Sequence, residues 1–305
     1  MYNGIINIYK EKGFTSHDVV AKMRGILKQK KIGHTGTLDP DAVGVLPVCL
    51  GSATKLCDML TDRDKEYIAE MRLGVTTDTQ DMTGTILSEC PVSVTAQEAE
   101  TIIKSFEGEY AQIPPMYSAL KVDGKRLYEL ARQGKEVERK PRPVTIHEIE
   151  ILSMELPKIR LRVSCSKGTY IRTLCHDIGK AAGCGGAMMS LERTRSGSFT
   201  KDTAITLTAL TPLRDEGQVS RVLIPVDAMF AELGAVHVQP QARRLIENGN
   251  SFFLQQVLER RLFGDGEDAR VYDDKGVFFG IYTFSAAENR FKPKKMFLEP
   301  GQERK

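Results

Sequence analysis

Tryptophan is absent from this 305-residue chain, none of its cysteines form a CxxC pair, and no apolar run reaches the roughly 20 residues that a membrane-spanning helix needs. The longest apolar stretch, Val43 to Leu50, is broken by Gly44 and Pro47. The opening "MYNGIINIYKEKG" places its lysines after the apolar residues, the reverse of a secretory signal, so a cytoplasmic protein with no membrane partner is expected. Six scattered cysteines (Cys49, Cys57, Cys90, Cys165, Cys175, Cys184) argue against a disulfide framework. Cys175, His176 and Cys184 are the one grouping that suggests zinc. Their spacing fits no common finger, so reduced core thiols and no metal are expected. Repeats and low-complexity tracts are also missing. An excess of one charge is missing too, since 43 Lys/Arg against 40 Asp/Glu leave a net of +3.

The composition that remains, 41% hydrophobic and 27% charged, is that of an ordinary globular protein. The length exceeds a single core, and one large domain plus one small domain is expected. The balanced total hides a separation of charge. Residues 121–142 hold eight Lys/Arg against four acids, whereas residues 62–109 hold eleven acids against four bases. Such a separation suits a nucleic-acid binder, but a solvated charged helix gives the same count, and charge alone leaves the two readings level.

Periodicity predicts a strand at "GIINIY" (4–9), then a helix capped by Thr15 or Ser16 with Val19, Val20, Met23, Ile26 and Leu27 on one face. After the loop at 33–42, Ser52 is expected to cap a second helix bearing Ala53, Leu56, Met59 and Leu60. Alternation from Tyr67 to Leu73 predicts a half-buried strand, and Thr95 with Glu98 a capping box. The segment around 116–143 reads as an exposed basic insertion, with a tight turn at Asp123-Gly124 and a short helix at "RLYELARQ" stopped by Gly134. Strands at 144–152 and 159–165 lead through "SKG" into a helix with Ile171, Leu174, Cys175 and Ile178 buried. Thr206 to Phe230 reads as helix, with "LIPVDAMF" as a closing segment. Beyond Leu233-Gly234, alternation and a turn at Asp274-Lys275-Gly276 predict a small all-β module.

The stretch "GHTGTLDPDAVGVLP" (33–47) is the least like core, with three glycines, two prolines, a histidine and two acids in fifteen residues. Pro40 biases Asp39 toward extended backbone. In isolation an Asx turn explains Asp39, and no second acidic cluster accompanies Asp39 and Asp41 to make a metal site. His34 reads as a packed loop histidine and Tyr67 as a core ring. Arg172, one turn into its helix, and Lys167 just before it are placed to face an anion near that N-terminus.

Five motifs in order, "KGFTSHDVV", "KIGHTGTLDPDAVGVLPVCLGSATKL", "DKEY", "PPMYSALKVDGKRLYELARQG" and "CSKGTYIRTLCHDIG", make residues 3–230 resemble the TruB family of tRNA pseudouridine 55 synthases. The resemblance implies an α+β fold: a pseudouridine-synthase catalytic domain at 1–232 with a mixed, largely antiparallel sheet flanked by helices and a thumb-like insertion at about 116–143. The all-β tail, 235–305, then resembles a PUA RNA-binding module. By position, the resemblance implies that Asp39 is the catalytic aspartate, that Arg172 pairs with it, and that Tyr67 stacks on the target uracil. It further implies that His34 takes the place of the flipped nucleotide and that Leu191 packs in the pocket. Glu192 departs from the family's usual "LRR". Lys121, Arg126 and Arg132 in the insertion, with Lys167, are expected to hold RNA phosphates. The implied activity is isomerisation of uridine 55 in tRNA by base flipping, with no cofactor, no metal and no protein partner, by a monomer that grips the T arm and acceptor stem. A guide-RNA-dependent synthase subunit and a non-catalytic RNA-binding or RNA-folding protein are the rivals.

Overall fold

The computed structural model describes residues 1–122 and 124–297. Asp123 of the expected tight turn and residues 298–305 of the expected C-terminal module lie outside them.

The chain opens with β1 (Gly4–Lys10), which is almost wholly buried, and α1 (Ser16–Leu27). Thr15 caps α1 in a reciprocal box with Asp18, and Val19, Val20, Met23 and Leu27 form its buried stripe. β2 (Ile32–His34) and β3 (Val43–Leu50) flank the glycine- and proline-rich loop. A 3₁₀ turn over Gly51–Leu56 and the short α2 (Cys57–Thr61) follow. They bury Ala53, Leu56 and Leu60 as expected, but Ser52 makes no side-chain cap; its amide instead bonds Asn3 Oδ1 at 2.8 Å.

Next come β4 (Lys65–Leu73), the hairpin β5 (Val75–Thr77) and β6 (Ile86–Glu89), α3 (Ala96–Lys104) with its Thr95/Glu98 box, and β7 (Gly108–Gln112). The insertion contains a two-strand pair, β8 (Lys121–Val122) and β9 (Lys125–Arg126), and α4 (Leu127–Ala131). β10 (Arg142–Glu155), β11 (Lys158–Cys165), α5 (Ile171–Ala181), β12 (Gly186–Ser196), β13 (Phe199–Thr200) and α6 (Leu207–Asp215) complete the larger part.

The long helix expected over 206–230 is not formed. Gly217 (φ 69°) turns the chain after α6, and two 3₁₀ turns, Val219–Arg221 and Val226–Phe230, carry it back to the sheet, where Ile224 bridges Ile5. Val219, Val226 and Phe230 are buried at a spacing that mimics a helix, but they pack against the strands.

The principal sheet has nine strands in the order β1-β3-β12-β4-β11-β10-β7, with β2 beside β3 and β13 beside β12. All its pairs are antiparallel except β3 with β12, where Glu192 sits opposite Val43. One core lies between the sheet, α3 and α5, a second between β1, β3, α1 and α6. The C-terminal part comprises β14 (Gly234–His237), α7 (Arg243–Glu247), β15 (Phe252–Phe253), β16 (Asp268–Tyr272), β17 (Phe278–Ser285) and β18 (Arg290–Met296). It forms a five-stranded sheet, β14-β16-β17-β18-β15, around its own aromatic core of Phe252, Phe279, Tyr282, Phe284 and Phe291. The result is an α+β body with a small, mainly β C-terminal domain. All six cysteines are free, no cluster of three or more metal-ligating side chains occurs among the described residues, and no helix there is long and apolar enough to cross a membrane.

Candidate active site

Beneath the loop that joins β2 to β3 the chain provides unusual support. Leu38 and Ala42, on either side of Asp39, are buried with Tyr67 in the sheet core, so the carboxylate is carried on a loop pinned at both flanks. The Leu38 amide donates to Ser16 Oγ at 2.9 Å, and the Pro40 carbonyl accepts from the Gly13 amide at 2.9 Å and from Lys10 Nζ at 3.1 Å. Lys10 is fully buried and also donates to the Phe14 carbonyl at 2.6 Å; burial pulls its pKa down to about 8. Glycine is required at the loop's exit. Gly44 has φ 109°, and a Cβ there would lie 2.2 Å from the Arg193 carbonyl oxygen.

Arg172, in the first turn of α5, meets this loop. Its Nε lies 3.0 Å from Asp39 Oδ2 and its Nη2 3.4 Å from Oδ1, a two-point contact with the carboxylate. The arginine side chain is 6% exposed and the aspartate 40%. The guanidinium is oriented by two carbonyls, Tyr117 (2.8 Å) and Thr79 (3.2 Å), and by a second carboxylate, Asp81, at 3.7 Å. Asp81 is fixed in its turn by the hydroxyls of Thr79 (2.8 Å) and Thr83 (2.6 Å) and the Thr83 amide (3.0 Å). Burial raises the Asp39 pKa above the ordinary carboxylate value; Arg172 opposes that shift and Asp81 adds to it.

These groups line an open cavity of about 1070 Å³. Of the residues singled out in the sequence, Asp39, Arg172, Leu191, Lys121, Arg126 and Arg132 share its wall. Tyr67 does not line it. At 8% exposure it lies behind the wall, where burial raises its pKa and the Arg193 guanidinium meets its hydroxyl. His34 is likewise one step removed, its ring edge-on to His17 with centroids 5.3 Å apart, and His17 lines the cavity. Burial lowers the His34 pKa, so its ring favours the neutral form. Lys167 does not join Arg172 around a shared anion: it pairs with Asp62 at 2.9 Å, outside the cavity, because the turn before α5 directs the two side chains apart.

Sequence reasoning missed Asp81, Lys10 and Arg193. Asp81 had a signal, an aspartate among threonines in "TTDTQDMTGT" that favours side-chain-capped turns. Arg193 is 1% exposed and donates to the Val45 carbonyl at 2.7 Å, a structural role that a charged residue in a strand does not announce.

Comparison with known proteins bears on this arrangement directly. A model for the TruB family pseudouridylate synthase N-terminal domain matches residues 24–171, and one for the tRNA pseudouridylate synthase B C-terminal domain matches 172–231. A tRNA pseudouridine synthase B of Lachnoclostridium phytofermentans is 52% identical over 97% of this chain and 100% of its own length. Another, of Alkaliphilus oremlandii, is 48% identical over 92% of this chain and 93% of its own. Among solved structures, a chain from an H/ACA RNP bound to a substrate RNA containing 2′-deoxyuridine aligns with a TM-score of 0.69 and 27% identity, covering 98% of this chain and 86% of that one. With the family models spanning both sides of the Asp39–Arg172 pair and full-length relatives near half identity, this chain belongs to the TruB family of pseudouridylate synthases.

Proposed function

We propose that this chain converts uridine 55 in the T loop of tRNA to pseudouridine, without a guide RNA and without a cofactor. The observation that carries the reading is the Asp39 carboxylate, held on both oxygens by Arg172 at the wall of a cavity large enough for an everted nucleoside. The names of the relatives support tRNA as the substrate class.

The reaction is an isomerisation. The glycosidic C–N bond breaks, the retained base turns, a C–C bond forms from C1′ to C5, and the C5 proton leaves. One ionised carboxylate suffices, either by adding to the nucleoside or by abstracting a sugar proton so that the base departs from a glycal. In this reading Arg172 keeps Asp39 ionised against the effect of burial. Tyr67, buried behind the cavity wall and held neutral because burial raises its pKa, reaches the extruded uracil in this reading only when the wall in front of its ring opens, and its part there is stacking. Leu191 packs beside the base and His34 fills the vacated position in the RNA stack. Stacking worth about 1–3 kcal/mol per base offsets the few kcal/mol that eversion costs. Lys121, Arg126 and Arg132 hold phosphates, and we assign residues 1–232 to catalysis and 235–305 to RNA binding.

The test is to incubate the purified chain with unmodified tRNA, with no guide RNA and no added metal, and to map pseudouridine by mass spectrometry. Product at position 55, with tritium release from C5-labelled tRNA abolished in Asp39→Asn while binding stays within a few-fold, is the expected outcome. The likeness to an H/ACA RNP chain favours a second, guide-dependent reading. Product that forms only when a guide RNA is supplied establishes that reading and removes ours.

A further inference from the structure

Five acids line the cavity, and four are accounted for. Asp39 and Asp81 close on Arg172, Asp41 faces Lys12 at 3.6 Å, and Glu70 accepts from the Ser190 hydroxyl at 3.2 Å. The fifth, Glu192, is arranged differently. It stands on β12 opposite Val43, four residues beyond Asp39, with its side chain 18% exposed. Its Oε1 accepts from the Tyr9 hydroxyl at 2.8 Å and forms an ion pair with Lys201 Nζ at 2.6 Å, and the Lys201 ammonium lies 5.8 Å from the Tyr9 ring centroid. Among the described residues both of these contacts fall on Oε1, and none falls on Oε2.

A hydrogen bond and an ion pair on the same oxygen orient the carboxylate and leave the second oxygen open in a residue that lines the cavity. A carboxylate there repels any phosphate brought against it, and it can only accept hydrogen bonds. RNA offers two kinds of donor: the 2′-hydroxyls and the N–H groups of the bases. A 2′-hydroxyl sits only a few bonds from a phosphate and would bring that charge with it. A base edge lies farther from the backbone, and an exocyclic amino group there matches an acidic acceptor.

We propose that Glu192 is a specificity residue, accepting a hydrogen bond from the exocyclic amino group of a base that neighbours the reacting uridine. The inference rests on the RNA reading of the cavity given above. Tyr9 is suited to its part, since burial and Glu192 raise its pKa to about 12 and keep the hydroxyl a donor. Lys201 offsets the carboxylate's charge without occupying the open oxygen.

The experiment uses the full chain and a T-arm hairpin RNA in which each base flanking the target is stripped of its amino group in turn: cytidine to pyrimidin-2-one riboside, guanosine to inosine, adenosine to purine riboside. A parallel arm replaces each ribose by 2′-deoxyribose. For the wild-type chain one amino deletion is expected to lower kcat/KM by roughly 10- to 100-fold, mostly through KM, as for a hydrogen bond to a charged group. Glu192→Ala is expected to treat that RNA and its parent alike. Glu192→Gln, which keeps the Tyr9 bond but lacks the charge, is expected to show an intermediate ratio and serves if the alanine variant does not fold. The proposal is overturned by a wild-type enzyme indifferent to every amino deletion, or by a Glu192→Ala variant as sensitive as wild type. A uniform gain on all RNAs, or a loss that follows the 2′-deoxy arm instead, also overturns it. A wild-type chain that leaves the parent hairpin unconverted removes the underlying reading instead.

Discussion

Asp39 and Asp81 share one guanidinium, and Arg172 and Asp81 push the Asp39 pKa in opposite directions. Burial keeps the Asp39 pKa raised, Arg172 lowers it, and Asp81 raises it further. If catalysis needs ionised Asp39, kcat/KM falls as pH drops through that raised value, so the acid limb of the profile lies above the ordinary aspartate range of about 3.9. Arg172→Met removes the lowering charge: the limb moves to higher pH, and activity at neutral pH falls by about 100-fold or more. Asp81→Asn removes a raising charge, and the limb moves to lower pH. Tritium release measured across the pH range for the three proteins checks this, and coincident limbs refute the electrostatic assignment. Legibility at this scale was uneven for physical reasons. Asp39 and Arg172 stand inside long motifs, whereas Asp81 reaches the site only through the β5–β6 hairpin, in a segment whose acids registered only as one side of a charge separation. Lys167, five residues from Arg172, looked equivalent until the turn before α5 separated them.

The elements that carry the site are ordinary, but their junctions are not. β3 can follow the Asp39 loop only because Gly44 lets the backbone lie against that of β12, with φ 109° and no side chain between the strand and Arg193. Gly44→Ala is therefore expected to cost at least about 2 kcal/mol, from backbone strain together with the displaced β12 contact. Gly25→Ala, inside α1 and with nothing within 4 Å of its added carbon, is expected to stabilise by about 0.5–1 kcal/mol. Urea unfolding of both checks the contrast, and a Gly44 variant as stable as wild type removes the close-approach argument. Strand alternation, the Thr95/Glu98 capping box, Thr15 as one of two candidate caps of α1, and the α5 face were readable because each is set by neighbours in sequence. The 206–230 segment was not. Its apolar spacing is helical, but Gly217 and Pro225, beyond the end of α6, favour short turns, and the Ile5–Ile224 bridge holds the chain along β1.

For the molecule as a whole, the two sheets are joined through a common apolar layer. Ile281 and Phe297 of the C-terminal part pack with Leu60, Phe199, Val226 and Phe230, and Phe230 meets Phe297 with ring centroids 5.6 Å apart. Polar ties cross the same boundary, from Lys55 Nζ to the Met296 carbonyl at 2.9 Å and from the Tyr272 hydroxyl to Asp227 at 2.9 Å. None of the groups of the Asp39–Arg172–Asp81 cluster comes from beyond residue 172. Deleting residues 235–305 is therefore expected to leave kcat on an isolated T-arm hairpin largely intact, while raising KM for full-length tRNA and lowering the thermal midpoint as Phe199, Val226 and Phe230 lose their cover. Steady-state kinetics on the two RNAs separate these effects. Loss of the hairpin reaction in a truncated chain that still melts cooperatively would mean that the C-terminal sheet contributes to the chemistry, and the division into a catalytic and an RNA-gripping part would have to be given up.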